Sequence, residues 1–257
     1  MRLSEIPKYK TTMPGKVFLV GAGPGDPELL TLKAVKFIKQ ADIILHDYLI
    51  DERILQYAEP EAELVPLGTH FTGRRITQNE INERMVREAL SGKTVVRLKG
   101  GDPHIFGCLY QEIGALLSEP EIEFEVVPGI TSAFSAAQAA GISLTDRRFA
   151  DTGAVALISG HRPHNPSLPE PDFRKYALFP GTLVFYMGMS SAVHWSSELI
   201  AGGKSPDTPV LFVFNAAMPN QRVVRTTLCD IEKTVQNENL RNPCSVIVGQ
   251  TVNSKYK

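Results

Sequence analysis

The sequence predicts an α/β fold in two lobes. From Val17 to Ala140, short β-branched runs alternate with amphipathic stretches, and the runs end in loops rich in glycine, proline and aspartate. The most telling of these loops follows Val95-Val96-Arg97-Leu98-Lys99 and reads Gly100-Gly101-Asp102-Pro103. Val95 to Leu98 is expected to be a buried strand that runs into a turn only small residues make. Two adjacent glycines let the backbone take φ > 0 and let a ligand approach the main chain, while Asp102 offers an acceptor carboxylate and Pro103 stiffens the exit. Loops at the carboxyl ends of strands are where open α/β sheets bind small molecules. A lone Gly-Gly-Asp is more often a plain strand-ending turn. Similar loops elsewhere in the chain weigh against that reading here.

Taken in order, residues Met1 to Gly15 form a polar arm, and Val17 to Val20 a strand ended by Gly21-Ala22-Gly23-Pro24-Gly25-Asp26-Pro27. Apolar residues recur at helical steps from Glu28 to Gln40; Ile43-Ile44-Leu45 is the next strand and closes on His46-Asp47. A helix is expected over Ile50 to Tyr57, an extended run over Leu64 to Leu67, and a polar loop over Gly68 to Thr77. Asn79 to Leu90 reads as a helix with Ile81, Met85, Val86 and Ala89 on one face, and a further helix spans about Gln111 to Leu117. Phe124 to Val127 is a strand, followed by Pro128-Gly129-Ile130-Thr131-Ser132, where Ser132 is placed to cap a small-residue helix reaching Ala140. A largely parallel sheet follows from this order. The lobes are divided near Pro128-Gly129, giving residues 16–128 and 129–257 after an arm of residues 1–15. In the second lobe, strands are expected at Val155 to Ser159, Thr182 to Tyr186 and Ser245 to Val248. Val210 to Phe214 and Val223 to Thr226 are expected to pair through the turn near Pro219-Asn220. Helices fall at Val193 to Ala201 and around Ile231, and Pro163 to Pro171 is a surface loop.

With a formal net charge of −1, the chain of 257 residues gives no electrostatic case for nucleic acid or an anionic membrane surface. No segment is long and apolar enough to span a bilayer, and Met1 to Ile6 lacks the apolar run of a signal peptide. Cys108, Cys229 and Cys244 are too few and scattered for a disulfide framework and form no CxxC; a cytoplasmic protein handling a small molecule is expected. Neither the histidines nor the cysteines show metal-ligand spacing.

Gly21-Ala22-Gly23-Pro24-Gly25 invites a dinucleotide-binding reading, with Asp47 at the distance of a ribose ligand. The spacing is GxGxG rather than GxGxxG, however, and Asp26 and Glu28 place carboxylates where a pyrophosphate would sit. Asp47 itself is either a turn former or a carboxylate at the ligand edge of the sheet, able to act as general base. Arg74-Arg75 and Arg147-Arg148 are solvated by default, yet the planar guanidinium suits carboxylates if they face a cleft.

Together these loops resemble the tetrapyrrole methylase family, and within it most closely the uroporphyrinogen-III C-methyltransferases. The matching pieces are Val17 to Ala34, Val95 to Pro103, Val126 to Ala133, Gly141 to Thr145, Leu183 to Gly188 and Gln221 to Val224, in order along the chain. The resemblance implies two α/β lobes with S-adenosyl-L-methionine in the cleft between them, S-adenosyl-L-homocysteine as product, a tetrapyrrole substrate and a homodimer. By similarity, Pro24, Gly100, Gly101, Asp102, Ile105, Thr131, Ser132 and Met187 contact the cofactor, and Ala216 stands where the family commonly has a glycine. Backbone-rich contacts suit a sulfonium donor, since carbonyl dipoles hold the cation without offering a nucleophile. The resemblance makes Asp47 the base that takes a proton from the alkylated ring, and Arg147 a partner for substrate carboxylates, with Arg74 and Arg75 as further candidates.

The chain departs from the family pattern where the substrate is expected. Thr69 and His70 replace a lysine and an arginine, and that lysine is the family's proposed proton donor. Tyr48 replaces an arginine, Cys108 another, and Asp146 a histidine. His104 replaces a phenylalanine, Leu109 and Tyr110 two glycines, and Gln111 a glutamate. Losing cations from a site for an octacarboxylate forfeits charge-assisted contacts worth several kcal/mol. Two rivals therefore stand beside C-methylation of uroporphyrinogen III or a close relative: a methyltransferase with a less acidic acceptor, and a cofactor-binding protein that has lost turnover.

Overall fold

A computed structural model describes residues 13–68, 76–149, 152–161, 169–254 and 256. The chain divides into two compact units, one of residues 1–23 and 27–129, the other of residues 24–26 and 130–257. The first unit holds a five-stranded sheet in the order β3-β2-β4-β1-β5. Its strands are β1 (Lys16–Gly21), β2 (Ile43–Asp47), β3 (Glu63–Leu67), β4 (Val95–Lys99) and β5 (Glu123–Val127), and every pair is parallel. A parallel sheet is covered on both faces, which explains why β1, β2 and β4 are buried almost throughout.

The crossovers carry α1 (Leu32–Gln40), α2 (Glu52–Leu55), α3 (Gln78–Leu90) and α4 (Leu109–Leu117). One face packs Val20, Ile44, Val96 and Leu98 against Ala34, Phe37 and Ile38 of α1. The opposite face packs Val17, Leu19, Ile43, Leu45 and Val95 against Met85 and Ala89 of α3 and Leu116 of α4. Local signals set the helix starts. Thr77 and Glu80 form a reciprocal capping box, and Thr31 accepts the Ala34 amide at 3.0 Å. That second cap is why the helix expected from Glu28 begins at Leu32, after a 3₁₀ turn over Pro27–Leu29.

The second unit is built on α5 (Ser132–Ala140), β6 (Val155–Ser159), β7 (Thr182–Tyr186), α6 (Ala192–Ala201), β8 (Pro209–Phe214), β9 (Arg222–Thr227), α7 (Ile231–Asn237) and β10 (Cys244–Val248). Its sheet order is β6-β7-β10-β8-β9. Only β6 and β7 pair in parallel; β10 runs antiparallel to both neighbours, and β8 and β9 form the expected antiparallel pair. Trp195 of α6 stacks on Phe185 of β7 at 4.3 Å within one apolar layer, and the alanines of α5 fill the other. The cap assignment at α5 requires correction. Thr131, not Ser132, occupies the cap position, and its hydroxyl bonds Tyr186 Oη at 2.6 Å instead of closing the helix. Ser132 accepts from Ser245 Oγ at 3.1 Å. Partners distant in sequence outcompete the local amide for both hydroxyls.

Candidate functional site

The carboxyl edge of the first sheet carries a charged cluster on an otherwise apolar face. Parallel pairing sets Leu45 beside Arg97, so Leu45 and Asp47 share a face with Val95, Arg97 and Lys99. That face is apolar up to Leu45 and charged beyond it. Arg97 is 3% exposed, and described residues engage four of its five N–H groups. One terminal nitrogen donates to Asp47 Oδ1 at 2.5 Å and Nε donates to Glu112 Oε1 at 2.9 Å. The other terminal nitrogen donates to the carbonyls of Leu45 and Leu98 at 3.3 and 3.1 Å. Glu112, on α4, is fully buried and takes Lys99 Nζ at 2.7 Å from each of its oxygens; the approach to Oε2 is ionic rather than an aligned hydrogen bond. Gln78 donates to Glu112 Oε1 at 3.3 Å.

Two carboxylates thus face two cations, and the group is neutral as a whole, which is the condition for burying charge. Burial alone would push the Asp47 carboxyl up, but Arg97 and then Lys99 outweigh it and hold it below the ordinary aspartate value. Burial opposes the charge on Arg97, and Asp47 and Glu112 more than restore it. Lys99 is lowered, by burial first and then by Arg97. His46, buried beside this group, is lowered by desolvation. Asp47 is the accessible member, with 34% of its side chain exposed. Among the described residues its Oδ2 meets only the Gly100 amide, at a long 3.4 Å.

Sequence reasoning placed Asp47 at this edge but missed Arg97, Lys99 and Glu112. The signal was present: two cations at alternate positions of a central buried strand must have buried partners.

Next to Asp47 the glycine loops interlock. Gly23 and Gly101 form an isolated antiparallel bridge through amide-to-carbonyl bonds of 3.1 and 2.8 Å. Gly101 takes φ +68°, and a Cβ on Gly129 would fall 2.2 Å from its carbonyl oxygen, so glycine is required at both positions. Gly100 differs: a Cβ there would meet nothing within 4 Å. Asp102 ties the loops together, accepting the Gly129 amide at 2.8 Å through one oxygen and the His104 amide and ring at 2.8 and 2.9 Å through the other. Ile105 follows, its amide bonded to the Asp102 carbonyl. Asp47, Gly100, Gly101, Asp102 and Ile105 are therefore grouped in one unit.

The second unit groups another set around the start of α5. Thr131 bonds Tyr186, the residue before Met187, and Ala216 packs in the same apolar layer as Ala133 and Tyr186. Met187 takes φ +52° and is 43% exposed; such a conformation in a side-chain-bearing residue marks strain of the kind that clusters at functional sites. Pro24 belongs to this unit, where the neighbouring Gly25 lies so close to Met218 that a Cβ would sit 2.2 Å from its sulfur. Arg147 is exposed and has no ion pair among the described residues, because Asp146 engages Arg148 instead, at 2.6 Å. Arg74 and Arg75, like Thr69 and His70, lie outside the described residues. Among the described residues no group of three or more His, Cys, Asp or Glu side chains could hold a metal, and no helix is long and apolar enough to cross a membrane.

Comparison with known proteins gives a consistent result. The profile of the family described as Tetrapyrrole (Corrin/Porphyrin) Methylases matches residues 16–232. The chain is 42% identical over 242 residues to the uroporphyrinogen-III C-methyltransferase of Methanocaldococcus jannaschii, covering 94% of this chain and 98% of that protein. It is 43% identical over 238 residues to the S-adenosyl-L-methionine-dependent uroporphyrinogen III methyltransferase of Methanosarcina barkeri, covering 93% and 92%. Among solved structures, the uroporphyrin-III C-methyltransferase of Thermus thermophilus complexed with S-adenyl homocysteine superposes with a TM-score of 0.78 at 39% identity, covering 93% of each chain.

Proposed function

The chain belongs to the tetrapyrrole methylase family, and on that premise we propose that it methylates carbon of uroporphyrinogen III or a closely related tetrapyrrole, with S-adenosyl-L-methionine as donor. The observation that carries this reading is Asp47. It is a partly exposed carboxylate, fixed in its charged form at the carboxyl edge of a parallel sheet and beside glycine loops that leave main chain open.

The residues present fit the donor. Gly100 has free space where a side chain would stand, so in the first unit main chain rather than side chains meets it at Gly100 and Gly101, with Asp102 holding the loop and Ile105 beside it. The family resemblance assigns Pro24, Thr131, Ser132, Met187 and Ala216 to the donor as well. S-adenosyl-L-methionine supplies the methyl group as an electrophile when bound. Attack by an electron-rich pyrrole carbon would form the new carbon–carbon bond as the carbon–sulfur bond breaks, leaving S-adenosyl-L-homocysteine and a positively charged macrocycle. Asp47 then accepts the proton that the alkylated, cationic ring system must lose. A carboxylate held below its ordinary value is a weak base, yet it is fully ionised at neutral pH and strong enough for so acidic a cation. Arg147, exposed and without an ion pair among the described residues, meets a substrate carboxylate. The active form is a homodimer, supported by the family resemblance, in the cytoplasm, supported by the sparse and scattered cysteines.

A second reading, a less acidic acceptor on the same fold, is favoured by one specific position. Cys108 takes φ +56° at the start of α4 and brings no cation where the family pattern has arginine. An anaerobic assay with methyl-labelled donor and uroporphyrinogen III decides between them. Label transferred to the macrocycle is expected. Tight S-adenosyl-L-homocysteine binding without transfer would sink the substrate assignment and leave the fold standing.

A further inference from the structure

The base reading leaves unexplained why a central strand buries a guanidinium behind Asp47. Arg97 is fixed from every side, by Glu112 at 2.9 Å and by the carbonyls of Leu45 and Leu98 at 3.3 and 3.1 Å. Glu112 is anchored in turn by Lys99 and Gln78. Four of the five N–H groups of this fork are engaged, so the nitrogen it presents to Asp47 is held in place. The bond is also selective: Oδ1 is taken at 2.5 Å, whereas among the described residues Oδ2 has only the Gly100 amide at 3.4 Å.

We propose that Arg97 is a positioning residue for the methyl transfer: it holds Asp47 through Oδ1 and so leaves Oδ2 as the oxygen that takes the proton. The inference rests on Asp47 acting as the base. It supplies a functional reason for an arrangement that costs desolvation and that well-packed apolar side chains often replace without loss of stability. The groups around Asp47 are Arg97 and Lys99 of β4, Glu112 of α4, the Gly100 amide and His46. Of these, Arg97 is the charge in contact with it.

The test is a pair of variants read by kcat, KM, S-adenosyl-L-homocysteine affinity and the pH profile of kcat, with the thermal midpoint recording folding. Arg97→Met removes the fork and leaves Glu112 paired with Lys99. It is expected to lower kcat about 10- to 100-fold, as small misplacements at a reacting centre do, with product affinity within about twofold. The acid limb of its kcat profile should move to higher pH, because the carboxylate loses the cation that depresses it. Arg97→Lys keeps the charge and should return the limb toward that of the unaltered protein while kcat stays low. In an Asp47→Asn background, Arg97→Met should cost no further turnover. A purely structural role predicts a lower midpoint with the acid limb unmoved, and that result overturns the proposal. If Arg97→Met does not fold, Arg97→Lys carries the test, and an unchanged kcat there overturns it. Full turnover in Asp47→Asn alone would remove the base reading and this inference together. Lost turnover in Asp47→Asn with an unmoved Arg97 profile removes only the inference.

Discussion

Two aspartate–arginine pairs, one in each unit, use the same functional groups to different ends. Asp146 and Arg148 are two residues apart, and the arginine, 69% exposed, folds back on its neighbour through Nε and a terminal nitrogen. Asp47 and Arg97 are fifty residues apart, meet only because β2 and β4 pair, and are closed behind by Glu112 and Lys99. In both pairs the aspartate is held below its ordinary value by its arginine, against a larger burial effect in Asp47 only. Asp146 keeps only 10% of its side chain exposed, but Arg148 stands in solvent, so the arginine of that pair can be exchanged for water at modest loss. The buried pair cannot, because Arg97 and Lys99 lie in the interior and are compensated there by Glu112, Asp47 and two strand carbonyls. Ion pairing near the surface thus shapes a turn and leaves Arg147 without an ion pair among the described residues, whereas ion pairing in the sheet fixes the orientation of the proposed base.

Breaking the buried pair at its exposed end gives the largest expected effect. Asp47→Asn should lower turnover by roughly 10²- to 10⁴-fold, with product affinity nearly unchanged in calorimetry. Equal losses in both would remove Asp47 as base. Glu112→Ala strands Arg97 and Lys99 in the interior and should cost about 3–5 kcal/mol in chemical denaturation. A loss indistinguishable from that of a surface substitution would mean that water reaches the cluster. Acid provides a gentler break. Because the folded Asp47 value is depressed, its contribution to stability is present above the unfolded value of about 3.9 and disappears as pH falls through the folded one. The stability difference between the unaltered protein and Asp47→Asn should therefore narrow on titration from pH 6 to pH 3; a constant difference would show that Asp47 is not depressed. Smallest of all, Arg148→Ala should leave the thermal midpoint unchanged within measurement error, and a clear drop would erase the contrast between the two pairs. One position outside both pairs separates ligand contact from folding. Gly100→Ala should keep the midpoint yet weaken S-adenosyl-L-homocysteine binding, since the added methyl meets open space in the protein alone.

The local features of this molecule were legible in its sequence. Alternation of β-branched runs with amphipathic stretches marked the parallel sheet of the first unit, and the ordered glycine loops marked the family, because backbone requirements at turns are met by few residue types. Asp47 was legible for the same reason, as an acid closing an apolar strand. Tertiary structure alone decided which hydroxyl at α5 bonds Tyr186, that β10 runs antiparallel between β7 and β8, and that the two loop glycines differ. It alone also decided that Arg97 stands behind Asp47. Pairing across fifty residues depends on strand register and on what α4 lays over the face, and neither is written in the spacing of a single segment.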